Sequence, residues 1–250
     1  MALLPRPIVK EATACYLCNS SLVLPVERDH VIPKQLFVDL PINAFTLPVC
    51  GGNVGCNRRL SKDEEYFRSF LLMQTYGERT PSQLWDHKVL PKLTPGYRSL
   101  LAQSIQTPRL PVPWFDRGLY LGEAKVFAAD ARRVRNVLCK IVRGLFYRHR
   151  GYHLRNDAEL RSCHFDPRVK YAADAMTEVR RLMMHADRVV EHPDVFTYWF
   201  ASAGDEAQSS GWWLLFYKKV LFMVTTNQRR PGETGYVQGS DEPCVWKPQR

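Results

Sequence analysis

Apolar and polar positions alternate along the chain with different rhythms. In Ser61-Lys-Asp-Glu-Glu-Tyr-Phe-Arg-Ser-Phe-Leu-Leu the apolar residues recur at helical spacing, and Ser61 with Glu64 three residues later matches a capping box, which predicts a helix start near residue 62. From about Leu121 a long helical pattern follows, with Val134, Val137, Leu138, Ile141, Val142 and Leu145 at three- and four-residue intervals. The other faces of that helix carry Arg132, Arg133, Arg135, Lys140, Arg143 and Arg148. A second helix is expected from Pro167 to about Ala186, with Asp166 as its cap. Val195 to Ala201 and Trp212 to Thr226 are rich in aromatic and β-branched residues, and the acidic, Gly-containing stretch between them reads as a connection of antiparallel strands.

Between these blocks lie Pro81, Pro91, Pro95, Pro108, Pro111 and Pro113, a density that suits a linker. The expected organisation is therefore α+β in parts: a cysteine-bearing module over residues 1–76, a proline-rich linker over 77–120, an α+β domain with helices packed on a small antiparallel sheet over 121–230, and a tail over 231–250.

Apolar residues make up 45% of the 250 and charged residues 24%, which is globular composition and argues against a disordered or fibrous chain. The most apolar stretch, Trp212 to Val224, is interrupted by Lys218 and Lys219 and is too short to span a bilayer. The first ten residues lack the apolar core of a signal peptide, so a cytoplasmic protein with no membrane partner is expected. A net charge of +10 makes a polyanion a reasonable partner. Residues 1–75 hold eight Lys/Arg against seven Asp/Glu, so nearly all the excess belongs to the remainder, above all to the arginine-rich helix.

Of the seven cysteines, Cys15-Tyr-Leu-Cys18 and Cys50-Gly-Gly-Asn-Val-Gly-Cys56 form two pairs. The two-residue gap lets both sulfurs reach one ion, and the glycines of the longer gap supply the turns that bring its sulfurs together. A structural zinc on Cys15, Cys18, Cys50 and Cys56 is expected, stapling a module too small for a large core. Such a closed site performs no chemistry itself. His149, His153, His164, His185 and His192, with Cys139, Cys163 and Cys244, show no ligand spacing and are expected in structural or surface roles; Trp199, Trp212 and Trp213 are expected in the core, with stacking on splayed bases as the alternative.

Between the pairs stands Glu27-Arg28-Asp29-His30-Val31-Ile32-Pro33-Lys34, and Cys56-Asn57 follows with a helix close behind. Over residues 12 to 72 this arrangement resembles the HNH, or His-Me finger, endonucleases in their zinc-stapled ββα-metal form. The resemblance implies His30 as general base, Asp29 and Asn57 as ligands of a catalytic Mg2+ or Mn2+, double-stranded DNA as favoured substrate, and products with a 5′ phosphate and a 3′ hydroxyl. The base-orienting position falls at Asn43 or Thr46. The chemistry is coherent: a neutral imidazole can deprotonate water, and a hard cation on a carboxylate and an amide keeps positions open for phosphate oxygens. Arg58, Arg59 and Lys62 beside Asn57, and Arg132, Arg133 and Arg135 on the later helix, are candidate phosphate contacts, with solvated basic faces as the alternative. The other function class is a non-catalytic zinc module that binds nucleic acid or a protein partner.

Overall fold

The computed structural model describes residues 13–22, 24–39, 44–52, 55–75, 77–93, 110–116, 119–126, 129–165, 173–202 and 208–227. The cysteine-bearing part pairs β1 (Val26–His30) antiparallel with β2 (Thr46–Cys50), Val26 facing Cys50 and His30 facing Thr46. Helix α1 (Cys56–Thr75) follows directly. It starts six residues earlier than the capping-box motif suggests. Ser61 lies inside it, donating its hydroxyl to the Arg58 carbonyl, and Glu64 is drawn to a lysine of another helix rather than to a cap.

The proline-rich stretch is more structured than a linker. It contains α2 (Arg79–Leu84), two short helical turns over Trp85–Val89 and Leu90–Leu93, and a hairpin of β3 (Leu110–Asp116) with β4 (Leu119–Val126). The long helix expected from Leu121 thus begins only at Ala131: α3 (Ala131–Arg150) is capped by Asp130, whose carboxylate accepts the Arg133 N–H. After α3 come β5 (Glu159–Phe165), α4 (Ala173–Met184), β6 (Asp187–His192), β7 (Phe196–Ser202), β8 (Ser210–Phe216) and β9 (Val220–Asn227). The five strands form one antiparallel sheet in the order β5-β9-β8-β7-β6. The expected cap Asp166 and the tail lie outside the described residues.

The apolar run Trp212 to Thr226 is two strands, not one. Tyr217 and Lys218 take φ of 49° and 58°, so the lysines that interrupt the run form a hairpin turn whose twist suits antiparallel neighbours. Burial alternates along β9, with Val220, Phe222, Val224 and Thr226 inward.

One core crosses the boundary expected near residue 76. It joins Leu17, Val31, Leu36 and Phe67 to Val137, Ile141, Leu145, Trp212, Phe216 and Phe222. Phe67 of α1 sits edge-on to Phe216 and tilted against Phe222, and the Tyr217 hydroxyl donates to the Leu36 carbonyl at 2.8 Å. Helix α3 is the centre of this arrangement: its apolar stripe is buried as its periodicity predicts, but Lys140 and Arg143, expected on outer faces, are buried as well, at 0% and 1% exposure.

Close approach depends on Gly144. A Cβ there would lie 2.5 Å from both methyls of Val31, the residue after His30. Gly144→Ala should cost about 1–3 kcal/mol through overpacking, partly offset by the roughly 1 kcal/mol that Ala gains over Gly in a helix. Val31→Ala in the same chain should recover much of the loss, so urea unfolding should give a strongly non-additive double-mutant cycle. Additive effects would mean that α3 does not press on the end of β1.

His149, near the end of α3, lies tilted against Phe200 with its ring nitrogen 2.8 Å from the Tyr198 hydroxyl, and burial, with Arg148 and Arg150, pulls its pKa down to about 4. Unfolded, it would titrate near 6.5, so between those values the unfolded chain binds the extra proton and stability falls as pH drops. From pH 7 to 5.5 His149 alone should contribute a loss of about 1 kcal/mol, measured by urea unfolding, and His149→Gln should reduce the slope by that amount.

Candidate functional site

Two local devices build the four-cysteine clasp. Cys15 and Cys18 sit in a tight loop closed by the Ala14–Ser21 bridge and by the Cys15 N–H to Ser20 carbonyl bond at 2.9 Å, with Asn19 in the left-handed region at φ 59°. Cys50 ends β2 and Cys56 opens α1; between them Gly55 passes so close to Cys50 that a Cβ would lie 2.4 Å from its carbonyl oxygen. The four sulfurs all lie within 4.8 Å of one another, and Cys18 and Cys50 are 3.7 Å apart. Thiolates on a tetrahedral zinc stand about 3.8 Å apart, so the donor set can hold a metal ion such as zinc.

Sharing protons among themselves, these thiols cannot all ionise. Burial, reinforced by Cys15, pushes Cys50 up to about 12; hydrogen bonds with Cys15 and Cys18 push Cys56 higher, and those from Cys15 and Cys56 hold Cys18 low. A dication resolves the conflict by replacing the protons. The clasp is also tied to the rest of the chain. Buried Arg143 donates to the Leu154 and Arg155 carbonyls, Asn156 donates to the Cys18 carbonyl at 2.8 Å, and Asn19 to the Leu154 carbonyl.

On β1, Glu27 and Asp29 alternate with Arg28 and His30. Asp29 is 5% exposed, and both its oxygens are engaged: Oδ1 accepts from Lys140 Nζ at 2.8 Å and Oδ2 from the Tyr16 hydroxyl at 2.6 Å. Lys140 Nζ also meets Glu64 Oε1, so one buried ammonium from α3 bridges carboxylates of β1 and α1. Burial raises the Tyr16 pKa, Asp29 adding to it, which keeps the phenol a donor. Burial also raises that of Glu64, against the pull of Lys140.

Asn57, in the first turn of α1, does not reach Asp29. Its amide donates to Glu27 Oε2 at 3.1 Å, while Glu27 Oε1 accepts from the Gly52 N–H. Glu27, Gly52, Asn57, Arg58 and Ser61 line an open cleft of about 400 Å³. Asp29 and Asn57 as they stand therefore do not fit a shared divalent cation. Both oxygens of the first already accept hydrogen bonds, one of them from a buried ammonium, and the second faces a different carboxylate.

His30, the last residue of β1, is half-buried, and among the described residues no side chain hydrogen-bonds its ring. Burial lowers its pKa, Asp29 opposing and Lys34 and Lys140 adding to the effect, so the imidazole is neutral at pH 7. Thr46 pairs with it across the sheet, but its hydroxyl oxygen accepts from Arg28 Nε at 3.1 Å; Asn43 lies outside the described residues. Arg58, Arg59 and Lys62 are exposed on α1. Of the three candidate arginines on α3, only Arg132 is exposed. Arg133 is ion-paired with Asp63 and Asp130, and Arg135 is half-buried.

Tyr16, Glu27, Glu64 and Lys140 are the participants that the sequence did not announce. Lys140 had one signal: it lies three residues after Val137 and four before Gly144, on the flank of an apolar stripe where a glycine marks close approach. No helix among the described residues is long and apolar enough to cross a membrane. Comparison with family models, with curated proteins and with solved structures gave no match.

Cys56→Ser should lose both bound zinc and the cooperative unfolding transition, read by metal analysis and circular dichroism, because metal-binding energy is part of the folding energy of such a module. Zinc retained at one per chain with unchanged melting would remove the clasp from the account.

Proposed function

We propose that the chain hydrolyses phosphodiester bonds in nucleic acid, duplex DNA in the first place, as an HNH-type enzyme with His30 as general base. The observation that carries this reading is the half-buried imidazole at the end of β1, its pKa lowered by burial, within a ββα unit in which Cys50 ends β2 and Cys56 opens α1, both clustered with Cys15 and Cys18 of the preceding loop. Such an imidazole can take a proton from water as the water attacks phosphorus; the P–O3′ bond breaks and the departing 3′ oxygen takes up a proton from solvent. Exposed Lys34, four residues on, and Arg58, Arg59 and Lys62 on α1 supply positive charge for phosphate oxygens. A 5′ phosphate and a 3′ hydroxyl are the expected products. Asp29 holds Lys140 and Tyr16 in place behind the base, and Asn57 holds Glu27; neither is assigned a step through a metal. Zinc on the four cysteines would be structural.

One observation favours the second reading, a non-catalytic zinc module that binds nucleic acid or a protein. Asp29, the carboxylate adjacent to the base, is turned inward and paired. Incubation with supercoiled plasmid, with and without Mg2+, separates the two. The hydrolase reading expects nicking by the wild type and a loss of about 100-fold or more in His30→Ala, a typical general-base contribution, with zinc content and melting unchanged. Retention of plasmid without cutting, equal in both proteins, selects the binding module.

A further inference from the structure

Divalent-ion sites of carboxylates and the Asp29–Glu64 pair have the same layout: two acidic oxygens converge on one positive centre. Here that centre is Lys140 Nζ, 2.8 Å from Asp29 Oδ1 and in contact with Glu64 Oε1. Three features make the occupancy lasting. The remaining oxygen of Asp29 is closed by the Tyr16 hydroxyl at 2.6 Å, and Tyr16 itself is 1% exposed between two clasp cysteines. The ammonium is fully buried, so an incoming dication would have to expel a charge that has no water to move into. The backbone that carries Lys140 is fixed on both sides. One turn onward Gly144 rests on Val31, and one and two turns back Asn136 and Arg133 grip the Asp63 carboxylate at 2.8 and 2.7 Å. A dication added beside the lysine would place two positive centres on the same carboxylate.

We propose that Lys140 is the resident cation of this site and that Asp29 takes no divalent ion. The fixed charge that a metal would bring beside His30 is brought instead by helix α3. This deepens the phosphodiesterase reading, since Asp29 belongs to the site of the proposed base, but the test does not depend on cleavage.

The full-length, zinc-loaded protein is titrated with Mn2+ and free ion is followed by electron paramagnetic resonance. Wild type and Asp29→Asn should give the same isotherm. Lys140→Met, which keeps the length of the side chain and removes its charge, should gain one Mn2+ per chain at least about tenfold tighter than anything in the wild type, and adding Glu64→Gln should abolish the gain. Wild-type binding that weakens about tenfold in Asp29→Asn would overturn the proposal, as would a folded, zinc-retaining Lys140→Met that gains no site. If Lys140→Met does not fold, the wild-type and Asp29→Asn isotherms decide alone. Should the wild type and His30→Ala prove equally inert on plasmid, the phosphodiesterase reading fails while the Mn2+ isotherms still judge this one.

Discussion

Lys140 Nζ, buried between Asp29 and Glu64, ties together three elements that are far apart in sequence: the strand that carries His30, the helix that begins at Cys56, and the central helix of the sheet-bearing part. Removing one member of a buried ion pair typically costs about 3–5 kcal/mol, because the survivor is left desolvated and uncompensated. The rest of the structure follows from satisfying that ammonium. Helix α3 must lie against β1, which requires a residue without a side chain at Gly144; α1 must present Glu64 inward, which sets the rotation that also brings Asp63 to Arg133. The same rotation leaves Asn57 beside Glu27 rather than Asp29.

The cysteine clasp and the ion network share the work of holding a part that has little core of its own. Two strands of five residues and one helix bury few apolar side chains among themselves. Their interior is completed by α3 and by the aromatic face of the sheet, with Phe67 against Phe216 and Phe222. Tyr16 links the two devices directly, since it sits between Cys15 and Cys18 and donates to Asp29. Whatever disturbs the clasp therefore reaches the carboxylate behind His30.

Local pattern announced much of this. Paired cysteines with glycines between them foretold the clasp, and the stripe from Val134 to Leu145 foretold the buried face of α3. The strands around Trp212 were legible too, although the Lys218 turn that divides them reads in sequence as an interruption rather than a corner. What stayed hidden was non-local. A lysine in an arginine-rich helix looks like one more solvated cation until its partner carboxylates, 111 and 76 residues away, are seen to converge on it. The capping-box reading of Ser61 and Glu64 failed for the same reason: Glu64 answers to a buried charge on another helix, which outweighs a local backbone bond. Strand alternation sets Asp29 and His30 on opposite faces, but which of the two is turned inward is not fixed by adjacency in sequence.

Anomalous scattering from crystals of the zinc-loaded protein soaked in Mn2+ tests the central claim most directly. The account predicts a zinc peak among the sulfurs of Cys15, Cys18, Cys50 and Cys56, no manganese peak at Asp29, and density for the Lys140 ammonium between Asp29 and Glu64. A manganese peak bound by Asp29, with Asn57 turned toward it and Lys140 displaced, would contradict it.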